Sequence, residues 1–362
     1  MKIFSFSLCL FILTFALSNQ ILKNNKLRNL DDEKNIIELE ILSDSTGEVN
    51  FINSDFLEKI EKINVNGEEM TEKKTSIYVN ANEKYTITIQ FQNDFEESCA
   101  YMFSKITIIK KIKFKNFNGC TNTYSMFSEC SSLESLDLSS FDTSKVISMD
   151  SMFFKCSSLN SLDLSSFDTS NVKSMESMFA GCSSLESLDL SSFNTSNVEN
   201  MVKMLESCSS LEYLDLSSFD TSNVESMSQM FADSSYMSLN LSSFNTSKVT
   251  NMNRMFYHCY YLYELVLSSS FTMENVGSHY DEMFSNIFIS VTQNGANLQE
   301  DYKNSIDSTN SRDLKKNLIL ITINTEESKN LKFINYDENT DNIIIRKHTI
   351  IKTTNIFHSK RT

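Results

Sequence analysis

Apolar and polar residues follow two different patterns along this chain. Between residues 35 and 98 they alternate in segments rich in Ile, Val and Thr, such as NIIELEIL and KYTITIQFQN. Alternation with a period of two is typical of β-strands that have one buried face. The pattern therefore predicts a small β domain of about four strands over residues 35–98.

A second pattern begins near residue 99, and it repeats. One methionine, followed by Phe in most copies, returns at four intervals of 26 residues and then at intervals of 25 and 28 residues. The methionines are Met126, Met152, Met178, Met204, Met230, Met255 and Met283. Most copies also carry L-x-x-L-x-L, and a period of 20 to 29 residues with this motif is typical of a leucine-rich solenoid. We predict about seven repeats over residues 99–284.

Each repeat predicts one short strand and one short helix. In LESLDL, Leu188 and Leu190 flank Asp189, which indicates a strand with its leucines inward and its aspartate outward. In NVKSMESMFAGC the apolar residues recur at helical spacing, i, i+3, i+6, i+7 and i+10. One repeat cannot cover both elements alone, whereas stacked repeats can. The predicted fold class is an α/β solenoid, a leucine-rich-repeat-like stack of strand-plus-helix units preceded by the small β domain.

The two ends of the chain carry further signals. Residues 1–18 have the positive Lys2, a short apolar stretch and a small-residue cleavage pattern, which predict a secretory signal peptide. The alternative is a short N-terminal anchor. Residues 19–34 are polar and aperiodic and predict a flexible lead, and residues 285–362 predict a β-rich C-terminal cap or tail. No later apolar stretch is long enough to span a membrane, so no span is expected in the mature chain.

Composition narrows the classes of function. The chain has 362 residues and a formal net charge of −15, which argues against nucleic-acid binding. It has no Pro and 6 Gly, so Ser, Asn, Asp and Thr must build its turns. No phosphate-binding loop, H-E-x-x-H or G-x-S-x-G motif is present, and the four histidines are scattered. We therefore predict no enzyme activity, no catalytic residue and no cofactor.

Cysteines recur at one position of four successive repeats: Cys130, Cys156, Cys182 and Cys208. They are either a ladder of buried thiols, which act as small apolar side chains, or disulfides that join neighbouring repeats. Seven cysteines remain after signal-peptide removal, so at least one is free or pairs between chains. A metal site is not expected, because there is no C-x-x-C pair and a row of ligands is not a tetrahedron.

An acidic column is predicted on the strand face: Asp137, Asp163, Asp189 and Asp215. It is either a solvated, solubilising surface or the recognition surface for a basic partner. Three Asn-x-Ser sequences also occur, and they predict N-glycosylation acceptors at Asn194, Asn240 and Asn245.

The repeat, M-F-x-x-C-S-S-L-x-x-L-D-L-S-S-F-D-T-S-x-V-x-x-M, resembles the 26-residue repeat of BspA-like leucine-rich surface proteins. This resemblance implies a secreted or cell-surface protein that acts in adhesion or partner binding, with no catalytic residues to carry over. The expected function is adhesion or protein–protein binding through a rigid repeated face, with a protein or surface glycoprotein as partner. The alternative is a structural surface-coat protein that self-associates.

Overall fold

The structure is a computed structural model, and it describes most of residues 35–283. Its described ranges are 35–92, 97–262, 264–268, 270–272, 274–279 and 282–283, followed by the backbone of five strands between residues 288 and 347. The predicted signal peptide (1–18) and flexible lead (19–34) lie outside the described residues. No helix of the described residues is long and apolar enough to cross a bilayer.

The N-terminal part is an antiparallel sheet with a separate two-stranded ribbon. Its strands are β1 (Ile36–Leu42), β2 (Gly47–Asn50), β3 (Ile60–Val65), β4 (Glu68–Glu69), β5 (Ser76–Val79), β6 (Lys84–Phe91), β7 (Ile109–Lys115) and β8 (Ser135–Asp137). The sheet has the order β4-β3-β6-β1-β7-β8, and β2 pairs with β5. Only β7 and β8 pair in parallel within this sheet. Because β7 and β8 lie in the first repeats, the sheet crosses residue 98, and the domain boundary there stays a prediction.

Consecutive repeats are stacked in parallel. Isolated parallel bridges join equivalent residues of successive repeats: Ser148 to Ser174, Ser174 to Asn200, Asn200 to Ser226 and Ser226 to Asn251. After β8, the described part of the repeats forms regular strands only at β9 (Ser238–Leu241) and β10 (Glu264–Leu267), which pair with each other in parallel. The described repeats are therefore turn-rich and joined mainly by hydrogen bonds outside regular strands.

The predicted α/β solenoid of strand-plus-helix, leucine-rich-repeat-like units is wrong. The only helical segment of the described residues is a 3₁₀ helix, Ser54–Lys59, which precedes the repeats. The expected helices are absent from the described residues because their amides alternate between two kinds of partner. Every second amide donates to a carbonyl three residues earlier: Met126 to Thr123, Ser128 to Ser125 and Cys130 to Phe127.

The intervening amides donate to the next repeat. These bonds run from Ser125 to Asp150, from Phe127 to Met152 and from Glu129 to Phe154. An α-helix would direct every amide to the carbonyl four residues earlier, so this segment is a chain of turns. Ser125 and Glu129 have positive φ angles of 51° and 60°, and each is the third residue of its turn, where type II turns require such a value.

The buried side chains form one continuous core from Ile37 to Met283. Two phenylalanine columns run through the repeats. Rings of the first column stack at centroid distances of 5.6 to 5.8 Å: Phe103, Phe127, Phe153 and Phe179. The second column consists of Phe141, Phe167, Phe193, Phe219 and Phe244, all buried. The period of 26 residues is thus a packing requirement, because the same ring must return to the same place in the next repeat.

Five strands follow the repeats. They are β11 (Phe288–Gln293), β12 (Ala296–Asn297), β13 (Leu318–Ile323), β14 (Lys332–Asp337) and β15 (Asn342–Lys347). Strand β13 pairs in parallel with β10, and the resulting sheet has the order β12-β11-β13-β10-β9. Strands β14 and β15 form an antiparallel ribbon. The backbone of β13 therefore extends the sheet of the last repeats, and the role of this segment as a cap stays a prediction.

Candidate interaction face

The aspartates of the predicted column hold a turn in each repeat. The Oδ1 atom of each aspartate accepts a hydrogen bond from the backbone N–H of the serine two residues later. The distances are 3.1 Å at Asp137, 3.0 Å at Asp163, 2.9 Å at Asp189 and 2.9 Å at Asp215. Such Asx turns supply the local geometry that Gly and Pro provide elsewhere. They also fix the direction of each carboxylate.

Three of the four aspartates are fully on the surface. Asp163, Asp189 and Asp215 are exposed, and the leucines on either side of each are buried. The structure thus presents the same carboxylate from three successive repeats. Two glutamates at the start of the same leucine segments, Glu186 and Glu212, are also exposed. We call these five residues the acidic face.

Hydrogen bonding keeps the aspartates of the acidic face ionised. The Ser165 side chain, followed by the Ser165 amide, lowers the pKa of Asp163, and Ser191 acts in the same way on Asp189. At Asp215 the amide of Ser217 is the largest cause of the lowered pKa. Repulsion acts in the opposite direction, because the neighbouring carboxylates Asp137 and Asp189 raise the pKa of Asp163. The hydrogen bonds outweigh this repulsion.

Asp137 differs from the other three. Lys113 of β7 donates to its Oδ2 atom at 2.6 Å and is the main reason why the pKa of Asp137 is lowered to about 2. Lys110 pairs in the same way with Glu134 at 3.1 Å. No Lys, Arg or His of the described chain forms an ion pair with Asp163, Asp189 or Asp215. The predicted column of four therefore contains one internally neutralised aspartate and three without a cationic partner among the described residues.

A second polar column occupies another corner of the stack. It consists of Asp142, Asp168, Asn194, Asp220 and Asn245, and each Oδ1 atom accepts the N–H of the serine two residues later. Two of the predicted glycosylation acceptors, Asn194 and Asn245, lie here. The third, Asn240, lies in β9 at the position that Asp215 occupies one repeat earlier, and it is exposed. Glycosylation at the three sites stays a prediction.

Within the described residues, no group of three or more His, Cys, Asp or Glu side chains is arranged to hold a metal ion. The acidic face is a row rather than a cage, and a row does not surround a cation with the six or more oxygens that calcium requires. What the arrangement offers is a set of fixed, ionised acceptors for donors on another molecule.

Comparison with protein families gives a match to the repeats. The family model described as "Mycoplasma protein of unknown function, DUF285" matches residues 97–212 and 183–296. Together the two matches cover residues 97–296, more than half of the 362-residue chain. The chain belongs to the DUF285 family. No curated protein and no solved structure matches the chain.

Five cysteines of the DUF285 repeats are free, buried thiols in this structure: Cys130, Cys156, Cys182, Cys208 and Cys259. The Sγ atom of Cys156 donates to the Phe127 carbonyl of the preceding repeat at 3.1 Å. Ser234 occupies the cysteine position of its own repeat, and its hydroxyl makes the equivalent bond to the Leu205 carbonyl at 3.0 Å. The ladder is therefore a set of hydrogen bonds between repeats.

The pair Cys99 and Cys120 carries no recognisable signal in the sequence. These two cysteines form a disulfide, with their Cα atoms 5.9 Å apart. The backbone explains the pairing, because the Cys99 amide donates to the Asn122 carbonyl and Ser98 bridges Asn122 in parallel. The first DUF285 repeat is irregular, because its Met102 lies 24 residues before Met126 rather than 26, and this hides the register that brings Cys99 next to Cys120.

Proposed function

We propose that this protein is a BspA-like surface protein that binds a positively charged macromolecule through its acidic face, in adhesion or protein–protein binding. The observation that carries the proposal is the set of three ionised aspartates, Asp163, Asp189 and Asp215. Each is fixed by an Asx turn and has no cationic partner among the described residues.

Internal charge pairing supports an external partner. The lysines of β7 are used within the molecule: Lys110 with Glu134, Lys111 with Glu40, Lys113 with Asp137 and Lys115 with Glu38. Later repeats also contain such pairs, Lys203 with Glu206 and Arg254 with Glu282, but none of them in the described chain involves Asp163, Asp189 or Asp215. A surface of one sign accelerates association with a partner of the opposite sign, and this effect weakens as salt is added.

The repeated geometry supports a broad contact rather than a reaction. One exposed ion pair contributes about 1 kcal/mol or less, so a single aspartate gives little affinity. Several carboxylates at regular spacing act together on one extended partner, because binding at the first brings the next groups into reach. The location at a cell surface or in the medium rests on the resemblance to BspA-like proteins and on the signal-peptide pattern of residues 1–18.

The test compares two triple variants that change charge equally. Asp163→Asn/Asp189→Asn/Asp215→Asn removes three charges from the acidic face and keeps the Oδ1 acceptors. Asp142→Asn/Asp168→Asn/Asp220→Asn does the same at the second polar column, where the aspartates are also exposed and also hold Asx turns. The measurement is the association rate with a lysine- and arginine-rich peptide at increasing salt.

We expect the acidic-face variant to associate more slowly and to depend less on salt, while the control variant behaves like the wild type. Equal effects of both variants would indicate a response to net charge alone and would contradict the proposal. Sedimentation of the wild type over a range of concentrations examines the alternative, a self-associating coat. Assembly that persists in the acidic-face variant while peptide binding is unchanged would favour the coat.

A further inference from the structure

One residue beside the acidic face differs from the residue that most repeats carry at its position. The position two residues before the column aspartate is a serine in most repeats: Ser135, Ser161, Ser187 and Ser238. In one repeat it is Tyr213, and 61% of that side chain is exposed. Tyrosine is enriched among the residues that anchor protein interfaces, and this exposure leaves the ring accessible to a partner.

Tyr213 lies where the acidic face ends. Glu212 precedes it, and Asp215 follows two residues later on the same outward side, roughly 7 Å away along an extended chain. Its hydroxyl donates to the Met237 Sδ atom of the next repeat at 3.4 Å, which directs the ring along the stack. In the next repeat, Met237 occupies the position equivalent to Glu212, because both residues follow equivalent core residues. Asn240 of that repeat occupies the position equivalent to Asp215. The ring therefore borders carboxylates on one side and uncharged residues on the other.

We infer that Tyr213 is the specificity-determining residue of this face and that it contacts an arginine of a basic polypeptide partner. The inference rests on the proposed function. A guanidinium stacks flat on an aromatic ring while its N–H groups donate to a neighbouring carboxylate, and Asp215 and Asp189 supply such acceptors. A lysine ammonium is a compact, strongly hydrated charge that cannot stack flat on the ring, so its contact with the ring is weaker. The face therefore selects arginine over lysine.

The test uses two fluorescently labelled peptides of equal length and charge, one in which arginine alternates with serine and one in which lysine does. The full-length protein is titrated with each peptide, and the ratio of the two dissociation constants is the readout. Tyr213→Ser restores the residue that four other repeats carry, so the stack has the means to fold. Tyr213→Phe keeps the ring, and Tyr78→Ser removes a tyrosine of β5 that is 68% exposed but lies outside the face.

We expect the wild type to prefer the arginine peptide by about two- to fivefold, as an exposed cation–π contact would give. The preference should disappear in Tyr213→Ser and remain in Tyr213→Phe and Tyr78→Ser. A preference that survives in Tyr213→Ser overturns the inference, as does its absence from the wild type. The triple variant Asp163→Asn/Asp189→Asn/Asp215→Asn separates the two proposals: if it binds both peptides as tightly as the wild type, the proposed function itself fails.

Discussion

The Thr169 hydroxyl donates a hydrogen bond to the Asn194 carbonyl at 3.0 Å and accepts one from the Asn194 amide at 2.8 Å. One buried side chain thus replaces a pair of backbone hydrogen bonds between neighbouring repeats. The same exchange recurs along the stack, at Thr143 with Asp168, Thr195 with Asp220 and Thr221 with Asn245. The threonine of the D-T-S segment is therefore a connector between repeats.

Thr169→Val tests this connector. Valine has nearly the same shape but leaves the Asn194 amide and carbonyl without partners, so the free energy of unfolding should fall by about 2 kcal/mol or more. Denaturant unfolding provides the measurement. Thr250→Val is the control, because Thr250 is exposed and its hydroxyl makes only one such bond, to the Glu225 carbonyl. A loss at Thr250 as large as the loss at Thr169 would show that the paired bonds are unimportant.

Gly181→Ala should destabilise the stack by about 1 to 2 kcal/mol. Gly181 has a φ angle of +76°, where a residue with a Cβ atom is strained, and the added Cβ would lie 2.9 Å from Lys155 Cγ. In a Lys155→Ala background the Cγ atom is gone, so the same substitution should cost clearly less. Thermal unfolding of the four proteins completes the cycle, and identical costs in both backgrounds would rule out the contact with Lys155.

Removal of the disulfide should cost about 3 kcal/mol. Cys99 and Cys120 are 21 residues apart, and a loop of this length gives stabilisation of that order by restricting the unfolded chain. The double variant Cys99→Ser/Cys120→Ser should therefore unfold at a lower denaturant concentration than the wild type. With a reducing agent present in both samples, the two midpoints should coincide. A wild type that is insensitive to reductant would contradict the assignment of the pair.

Alkaline pH should destabilise the protein through its buried thiols. Burial raises the pKa of Cys130, Cys208 and Cys259 to about 12, above the ordinary value of a thiol. The unfolded chain therefore loses these protons first, so stability is complete below about pH 8.5 and falls as the pH rises toward 12. Each thiol contributes a slope of up to about 1.4 kcal/mol per pH unit in this range.

Unfolding measured at intervals from pH 8 to pH 11 checks this slope. Cys208→Ser should reduce it, because Ser234 shows that a serine fits this position of the repeat and keeps the bond to the preceding carbonyl. The native thiols should also resist a thiol reagent at pH 8 until the protein unfolds. Rapid labelling of Cys130, Cys208 or Cys259 in the native state would show that they are not buried.

The period and the buried positions of the repeats could be predicted from sequence, but the backbone between them could not. Val172, Met175, Met178 and Phe179 are all buried, as helical spacing suggests. A chain of turns with left-handed residues at Ser177 and Gly181 gives the same set of buried side chains. In the neighbouring repeats the equivalent left-handed residues are Ser151, Lys155, Lys203 and Ser207, and they carry no sequence signal, because glycine is the residue that normally marks such φ values. Because glycine marks this position in one repeat and not in its neighbours, a helix was the simpler prediction.

Alternation with buried leucines predicted the outward direction of three aspartates, Asp163, Asp189 and Asp215. The neutralisation of Asp137 by Lys113 was not predictable, because it depends on how β7 pairs with β8. Tyr213 was visible in the sequence as the odd residue in a serine position. Only its exposure showed that the core does not explain it.

Each repeat offers its neighbours the same hydrogen-bond donors and acceptors, so the number of repeats can change by whole units. Loss of residues 157–182 would join Cys156 to Ser183, so that Phe153 would meet Met204 as Phe179 now does. Recombination between such similar stretches of a gene changes copy number in whole steps, and each step adds or removes one aspartate of the acidic face without disturbing the rest. Gene rearrangement can thus change the number of binding groups on the acidic face, independently of the amino-acid substitutions that set the affinity of each group.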